Sequence, residues 1–126
     1  MILGLGVDIV EVDRIRVALL KGASLMKRIF TQAEIAYCTN QRNQYQHLAG
    51  RFAAKEAGLK ALGTGWGQGV RWKEVEVINE ESGKPVIRFD GRALEILQEK
   101  TVSEILVTIS HSEEYAVAVV VLEGSS

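Results

Sequence analysis

Cysteine and proline are nearly absent, since the chain of 126 residues contains one of each. A single cysteine, Cys38, excludes an internal disulfide bond and a metal site built from several cysteines. It predicts a free thiol in a reducing compartment, so we expect a cytoplasmic protein. A catalytic role for Cys38 would require a base partner, and the neighbouring sequence indicates none.

An excess of charge of one sign is also lacking, and so is any long apolar run. The net charge is −1, which argues against general electrostatic attraction to nucleic acid or to an anionic membrane. No run approaches the roughly 20 apolar residues of a membrane-spanning helix. Residues 1–10 lack the basic region and the cleavage site of a signal peptide. We therefore expect no nucleic-acid partner and no membrane partner.

The residues that are present predict one domain over residues 1–126, with 47% hydrophobic residues to form its core. Thr31 and Glu34 have the spacing of a capping box, Asp13 is placed to cap an earlier helix, and Gly63 is placed to end a long one. The predicted elements are a strand (2–10), a short helix (13–20), a short helix from Thr31, a long helix (45–62), a hairpin (74–79 and 86–89), a helix (92–100) and a second strand pair (105–109 and 115–122). This order predicts an α+β fold in which a mostly antiparallel sheet packs against one long and several short helices.

The first strand carries a carboxylate in apolar surroundings. Its odd-numbered residues from Leu3 to Ile9 are predicted to face the core. Gly4, Gly6 and Asp8 lie on the other face, where the glycines leave space beside the carboxylate. A buried charge is costly unless it is paired or bound to a cation. Asp8 is therefore at an edge, in a salt bridge, or a ligand of a hard metal such as Mg²⁺, which is often held by one or two carboxylates together with phosphates and waters.

The long helix carries a second carboxylate beside a lysine. At 100° per residue, Glu56 and Lys60 lie about 40° and 80° from Phe52, on the same side as Ala49 and Ala53. Such a flank of small residues lets a ligand or another backbone come close. The alternative is an ion pair on a solvated face, which would stabilise the helix by about 0.2–0.5 kcal/mol.

Glycine-rich and histidine-containing turns are the next candidates. The run 63–69 follows a helix rather than opening one, so it is neither a P-loop nor a dinucleotide-binding motif. It is either a flexible connection or a turn whose backbone N–H groups contact phosphate. His111, in a Ser-His-Ser turn, is either an ordinary turn residue or a phosphate or nucleotide contact, because no third group supports a nucleophile–base dyad. Trp66 and Trp72 are expected to pack rather than to stack on a base.

Residues 13–30 form a locally basic segment on a nearly neutral protein. This segment contains one acidic residue, Asp13, and five basic residues: Arg14, Arg16, Lys21, Lys27 and Arg28. It is either a solvated helix face or a docking surface for an acidic protein partner, whose encounter the positive charge would steer.

Four segments together resemble one known family, the small holo-[acyl-carrier-protein] synthases, which are short 4′-phosphopantetheinyl transferases. They occur in the family's order and span nearly the whole chain, and the long-helix motif is the most specific of them. The segments are Gly6–Glu11 (GVDIVE), Arg51–Ala57 (RFAAKEA) continued by Lys60–Gly65 (KALGTG), Gly83–Pro85 (GKP), and Ile109–Ser112 (ISHS) with Glu114–Ala116 (EYA).

The resemblance implies an activity. The protein would transfer 4′-phosphopantetheine from coenzyme A to a serine of apo-acyl carrier protein, release adenosine 3′,5′-bisphosphate and support fatty acid biosynthesis. By the same resemblance, Asp8 and Glu56 hold Mg²⁺ against the diphosphate, and Lys60 neutralises phosphate charge, which makes these three residues catalytic. The implied coenzyme A contacts are Arg51, Gly63, Thr64, Gly65 and His111, and the implied carrier contacts are Arg14, Arg16, Lys21 and Arg28. The family assembles as homotrimers with active sites between protomers, so a trimer is implied.

The physical chemistry of this transfer agrees with the side chains present. Phosphoryl-type transfer requires charge neutralisation and in-line positioning more than a covalent intermediate. Glu56 or a water on the metal could accept the serine proton, and the sequence does not choose between them. Two other hypotheses compete with the transferase: a module that binds coenzyme A without chemistry, and a structural trimer in which Asp8 is only salt-bridged.

Overall fold

The protein is described by a computed structural model that covers residues 1–65 and 67–125. Within these residues the fold is α+β, with four helices in succession after the first strand and two hairpins later in the chain, and both sheets are antiparallel, as the sequence predicts. The strands are β1 (Ile2–Glu11), β2 (Val75–Asn79), β3 (Pro85–Phe89), β4 (Val102–His111) and β5 (Tyr115–Gly124). The helices are α1 (Val12–Leu20), α2 (Ala23–Ile29), α3 (Gln32–Thr39), α4 (Gln44–Leu62) and α5 (Gly91–Glu99), and a 3₁₀ turn (Trp72–Glu74) precedes β2.

Residues at the helix ends determine where α3 begins and where α4 ends. The capping box of α3 is confirmed, because the Thr31 hydroxyl accepts from the Glu34 N–H at 3.2 Å and the Glu34 carboxylate accepts from the Thr31 N–H at 2.9 Å. Gly63 ends α4 in the left-handed conformation at φ 83°, which glycine adopts without steric cost. The prediction that Asp13 caps α1 is wrong. The helix starts one residue earlier, and Asp13 lies in its first turn, where it accepts from Arg16.

The main sheet has the order β1-β5-β4, and α4 packs on one of its faces. The small hairpin β2–β3 covers another side of α4. Because the main sheet and the hairpin both pack on α4, most of the 19 residues of this helix are buried. Among the described residues, no helix is both long enough and apolar enough to cross a bilayer.

The prediction for the two faces of β1 is wrong. Leu5, Val7 and Ile9 point away from the core and are 65%, 54% and 65% exposed. The core face is the one that carries Gly4 and Gly6, because the strand lies directly on the backbone of α4. A Cβ on either glycine would overlap a carbonyl oxygen of the helix. The glycines therefore leave no open space beside Asp8, and the helix backbone fills the position where that space was expected.

A buried ion pair joins the helices to the small hairpin. The Lys55 ammonium lies 2.8 Å from the Glu34 carboxylate, and both side chains are 0% exposed. Lys55 also donates to the carbonyl oxygens of Trp72 and Val75, and Glu34 accepts from the Val77 N–H at 2.8 Å. Burial lowers the pKa of Lys55, and the nearby Glu34 carboxylate opposes that shift. The pair fixes α3, α4 and β2 relative to one another.

Candidate active site

A large cleft lies where the end of β1 meets α1, α2 and α4. Its volume is about 700 Å³. Asp8 of β1 and Glu56 and Lys60 of α4 all line it, and so does Arg14 of α1. We call it the carboxylate cleft. The three residues predicted to be catalytic therefore share one site, although Asp8 is 52 positions from Lys60 in the chain.

The contact between β1 and α4 places Lys60 against Asp8. The Lys60 ammonium lies 3.1 Å from a carboxylate oxygen of Asp8 and 3.0 Å from the carbonyl oxygen of Val7. The Asp8 side chain is 18% exposed and that of Lys60 is 52% exposed. The charge of Asp8 is thus compensated at the edge of the sheet. The lysine itself stays accessible to a further anion from the cleft.

The opposite wall of the carboxylate cleft is apolar. Phe52 and Trp72 stack with their ring centroids 5.1 Å apart, and Phe30 lies deeper, with 1% of its surface exposed. Trp72 therefore packs, as predicted, whereas Trp66 lies outside the described residues. From the sequence, Phe52 is only a reference position on the long helix, and no local signal indicated that it would line the site. The cleft can accommodate a ligand with one charged part and one less polar part.

Arg51 and His111 line a different cleft. This smaller cleft, of about 190 Å³, lies between α3, α4, the turn before β3 and the end of β4. Arg51 is 4% exposed, its guanidinium lies 4.2 Å from the centroid of the Tyr37 ring, and it donates to the side chain of Asn79. His47, which sequence reasoning did not single out, lies there too, beside His111. We call this the histidine cleft. Among the residues that the structure describes, the two clefts of one chain have no lining residue in common.

The carboxylate cleft fits the requirements of Mg²⁺. Asp8 and Glu56 supply two carboxylates on one cleft that is open to solvent and to a ligand. Within residues 1–65 and 67–125, no group of three or more histidine, cysteine or acidic side chains could hold a metal ion without further ligands. A metal held here would therefore take its remaining oxygens from phosphate and water, which is the coordination that Mg²⁺ prefers.

A family comparison decides the class of the protein. Residues 4–120 match the profile of the 4′-phosphopantetheinyl transferase superfamily. The chain belongs to this superfamily. It is 45% identical over 125 residues to the holo-[acyl-carrier-protein] synthase of Syntrophus aciditrophicus (strain SB), with 98% of each chain covered.

Solved structures of the superfamily have the same fold. The holo-(acyl-carrier-protein) synthase from Bacillus anthracis str. Ames, solved in complex with CoA (3′,5′-ADP), is 40% identical over 99% of each chain with a TM-score of 0.82. The synthase from Neisseria meningitidis is 34% identical, covers 98% of this chain and 99% of its own, and has a TM-score of 0.89. The α+β fold predicted from the sequence is therefore the fold of this transferase superfamily.

The glycine turn of this transferase follows α4 directly. Gly63 and Gly65 have φ angles of 83° and 56°, and a Cβ on either would meet no atom within 4 Å. The Thr64 hydroxyl donates to the Gly65 carbonyl oxygen at 2.9 Å. The turn is not among the described residues that line the carboxylate cleft. It begins one helical turn beyond Lys60, and its backbone is open to solvent.

The basic segment lies on α1, α2 and the turn between them. Arg14 lines the carboxylate cleft, whereas Arg16 is paired with Asp13. Lys21 and Arg28 are exposed. Only Arg14 of these four is in position to act on both a partner at the surface and a ligand in the cleft.

Cys38 belongs to the core rather than to the site. Its side chain is 0% exposed, and burial raises the pKa of the thiol to about 12. Since the thiolate is the nucleophilic form, a buried thiol with this pKa does not attack a substrate near neutral pH.

Proposed function

We propose that this protein is a holo-[acyl-carrier-protein] synthase. It transfers the 4′-phosphopantetheine group of coenzyme A to a serine of apo-acyl carrier protein and releases adenosine 3′,5′-bisphosphate. The observation that carries the proposal is the carboxylate cleft, which Asp8, Glu56 and Lys60 all line in a chain of the transferase superfamily. A single domain, residues 1–126, performs the reaction in the cytoplasm as a step that supports fatty acid biosynthesis.

The residues of the carboxylate cleft act on the diphosphate of coenzyme A. Asp8 and Glu56 would hold Mg²⁺, which would supply Lewis-acid stabilisation of the charge on the diphosphate. Lys60 binds a phosphate oxygen while the Val7 carbonyl, 3.0 Å from its ammonium, holds the ammonium in place. The reaction forms a bond between the serine oxygen and phosphorus and breaks a phosphorus–oxygen bond of the diphosphate, so that adenosine 3′,5′-bisphosphate leaves. The serine proton passes to Glu56 or to a water in the cleft. Positioning and charge neutralisation by these side chains are what such a transfer requires.

A homotrimer with shared sites accounts for two features of the single chain. The first is the apolar outer face of the main sheet, where Leu5, Val7 and Ile9 are each more than half exposed. Contiguous apolar surface of this kind is typical of an interface. The second is the separation of the two clefts, because one coenzyme A could contact Asp8 of one protomer and Arg51 and His111 of its neighbour. The glycine turn Gly63–Gly65 supplies backbone donors at the end of α4.

The carrier protein docks at the basic segment. Arg14, Arg16, Lys21 and Arg28 present positive charge to an acidic helix of the carrier, which increases the rate of encounter. Arg14 lines the carboxylate cleft, so a carrier bound here would present its serine close to the diphosphate.

The decisive experiment is a carrier-modification assay. The protein is mixed with coenzyme A, Mg²⁺ and apo-acyl carrier protein, and the carrier is weighed by mass spectrometry. We expect a mass gain of one phosphopantetheine group that is lost when the metal is chelated. No gain under conditions where another superfamily member succeeds would refute the proposal. Tight binding of coenzyme A without transfer to any carrier would instead identify a binding module.

Asp8→Ala and Glu56→Ala assign the metal site. Each variant should lose transfer and retain the fold, since neither side chain is part of the buried core. Calorimetric titration of Mg²⁺ in the presence of coenzyme A measures the metal separately from turnover. A variant with full activity and unchanged metal affinity would remove that residue from the metal site.

A further inference from the structure

The apolar wall of the carboxylate cleft, formed by Phe30, Phe52 and Trp72, has a buried cation behind it. This cation is Lys55, which is not among the described residues that line the cleft and whose side chain is 0% exposed. Its ion pair with Glu34 is weak evidence for stability, because the cost of removing two charges from water offsets most of their attraction. The position of the ammonium therefore requires a further explanation.

The Lys55 ammonium contacts two members of the apolar wall directly. It donates to the carbonyl oxygen of Trp72 at 3.1 Å, and it lies 5.9 Å from the centroid of the Phe30 ring, which is within the range of a cation–π contact. Its other acceptors are the Glu34 carboxylate at 2.8 Å and the carbonyl oxygen of Val75. An ammonium has three N–H donors, so these three acceptors use all of them and fix its position.

The third member of the apolar wall lies on the same helix as Lys55. Phe52 precedes Lys55 by one turn of α4, and the Trp72 ring stacks on Phe52 with the centroids 5.1 Å apart and the planes at 25°. Glu56, which lines the cleft, directly follows Lys55. The hydrogen bond to the Trp72 carbonyl oxygen ties the 3₁₀ turn to this part of the helix. One turn of α4 thus carries the buried cation, one ring of the wall and one carboxylate of the site.

We propose that Lys55 is a positioning residue for the transfer. It acts through Trp72, because its hydrogen bond holds the Trp72 backbone where the ring stacks on Phe52. The apolar wall is then held at a fixed distance from Glu56, and a substrate bound between them is aligned for reaction. This inference rests on the proposed function. Lys55 is fully buried and does not itself contact the substrate.

The double variant Glu34→Gln/Lys55→Met separates positioning from stability. It leaves no uncompensated charge in the core, so it should be more stable than Lys55→Met alone. Methionine, however, has no N–H to donate to the Trp72 carbonyl oxygen. We expect kcat for carrier modification to be about tenfold lower than in the wild type, because small displacements near a reacting group reduce its rate. Urea unfolding defines the conditions under which each variant is fully folded for this assay.

Two further variants provide the comparison. Glu34→Gln alone keeps the lysine amine and its bonds to the two carbonyl oxygens, so it should lose stability but retain most of kcat. It also keeps the proposal testable if the double variant does not fold. The matched control is Glu76→Gln/Arg88→Met, which makes the same two replacements in an ion pair of the hairpin β2–β3. Neither residue of that pair lines the carboxylate cleft, so kcat should not change.

A mutant cycle tests whether Lys55 acts through Trp72. Trp72→Ala removes the ring, so adding Glu34→Gln/Lys55→Met to it should lower kcat little further. Losses that multiply would indicate a purely structural role and would overturn the proposal. So would wild-type kcat in the folded double variant, or a tenfold loss of kcat in folded Glu34→Gln.

Fluorine NMR tests the contact without measuring activity. The protein is labelled with fluorotryptophan, and the Trp72 signal is the one that Trp72→Ala lacks. This signal should shift or broaden in Glu34→Gln/Lys55→Met and stay in place in Glu76→Gln/Arg88→Met. An unchanged signal in the first of these would overturn the proposal whether or not the protein transfers a group. A wild-type protein that modifies no carrier would instead refute the proposed function.

Discussion

Gly6→Ala tests whether the backbone contact between β1 and α4 sets the geometry of the carboxylate cleft. A Cβ at this position would overlap the carbonyl oxygen of Ala57 and lie 2.8 Å from the amide nitrogen of Ala61, whereas real Cβ atoms essentially never approach within 3.0 Å. Both obstacles are backbone atoms of a buried helix, so neither can rotate away. The strand and the helix must therefore separate by roughly 1 Å.

Moving β1 away from α4 would lower the stability of the protein, and it would lower the activity more. Overpacking of this kind reduces the free energy of unfolding by about 1–3 kcal/mol, and we expect the upper end because backbone meets backbone. The hydrogen bond between Lys60 and Asp8 spans the same contact at 3.1 Å and would not survive the shift. A displacement of about 1 Å in a catalytic group can reduce a rate about a hundredfold.

The assay combines urea unfolding with the rate of carrier modification at saturating substrates. Gly22→Ala is the matched control, because Gly22 has an extended backbone and the nearest atom to its added Cβ is 4.0 Å away. The control should remain within about 1 kcal/mol of the wild type and fully active. If Gly6→Ala matched the control in both measurements, the contact would not set the geometry of the site and the reasoning would be refuted.

Three further predictions concern groups away from this contact. Lys55→Met should cost about 3–5 kcal/mol in urea unfolding, because it leaves the Glu34 carboxylate buried and uncompensated; the double variant Glu34→Gln/Lys55→Met should recover part of that loss, and no recovery would contradict the ion-pair explanation. Arg14→Glu should raise the Michaelis constant for the carrier more than that for coenzyme A, while Lys100→Glu, the same charge change at the end of α5, should change neither; equal effects of Arg14→Glu on both substrates would argue against docking. Because burial raises the pKa of the Cys38 thiol to about 12, Cys38 should react with a thiol reagent at about pH 8 only after unfolding, and rapid reaction of the folded protein would show that the thiol is accessible.

The sequence predicts the features that depend on a few neighbouring residues. The capping box of Thr31 and Glu34 and the helix end at Gly63 are examples, because each requires only side chains or backbone freedom within one turn. The two antiparallel pairs were also predicted from alternation and from the turns between strands. Because these signals depend only on neighbouring residues, the predictions made from them do not depend on how the rest of the chain packs.

Features that depend on distant packing were not predictable. Nothing in the residues next to Lys55 indicates burial, but the hairpin β2–β3 and helix α3 cover that side of α4 and bury Lys55 against Glu34. The apolar periodicity of a helix in the sequence does not show that other elements cover most of its sides. For the same reason, nothing in the sequence indicated that His47 would meet His111 from another element.

The prediction for the two faces of β1 was wrong for a reason that also explains the geometry of the site. Alternation shows which residues share a face, and hydrophobicity alone favoured Leu5 and Val7 for the core. The core instead takes the face with the smallest residues, because only glycine allows the strand to lie on the helix backbone. The predicted flank of alanines on α4 and the glycines of β1 belong to the same layer of close packing, and Asp8 is the next residue on that strand face. An arrangement with larger side chains in this layer would move Asp8 away from Lys60 and Glu56. The small residues thus belong to the chemistry of the site as much as the carboxylates do.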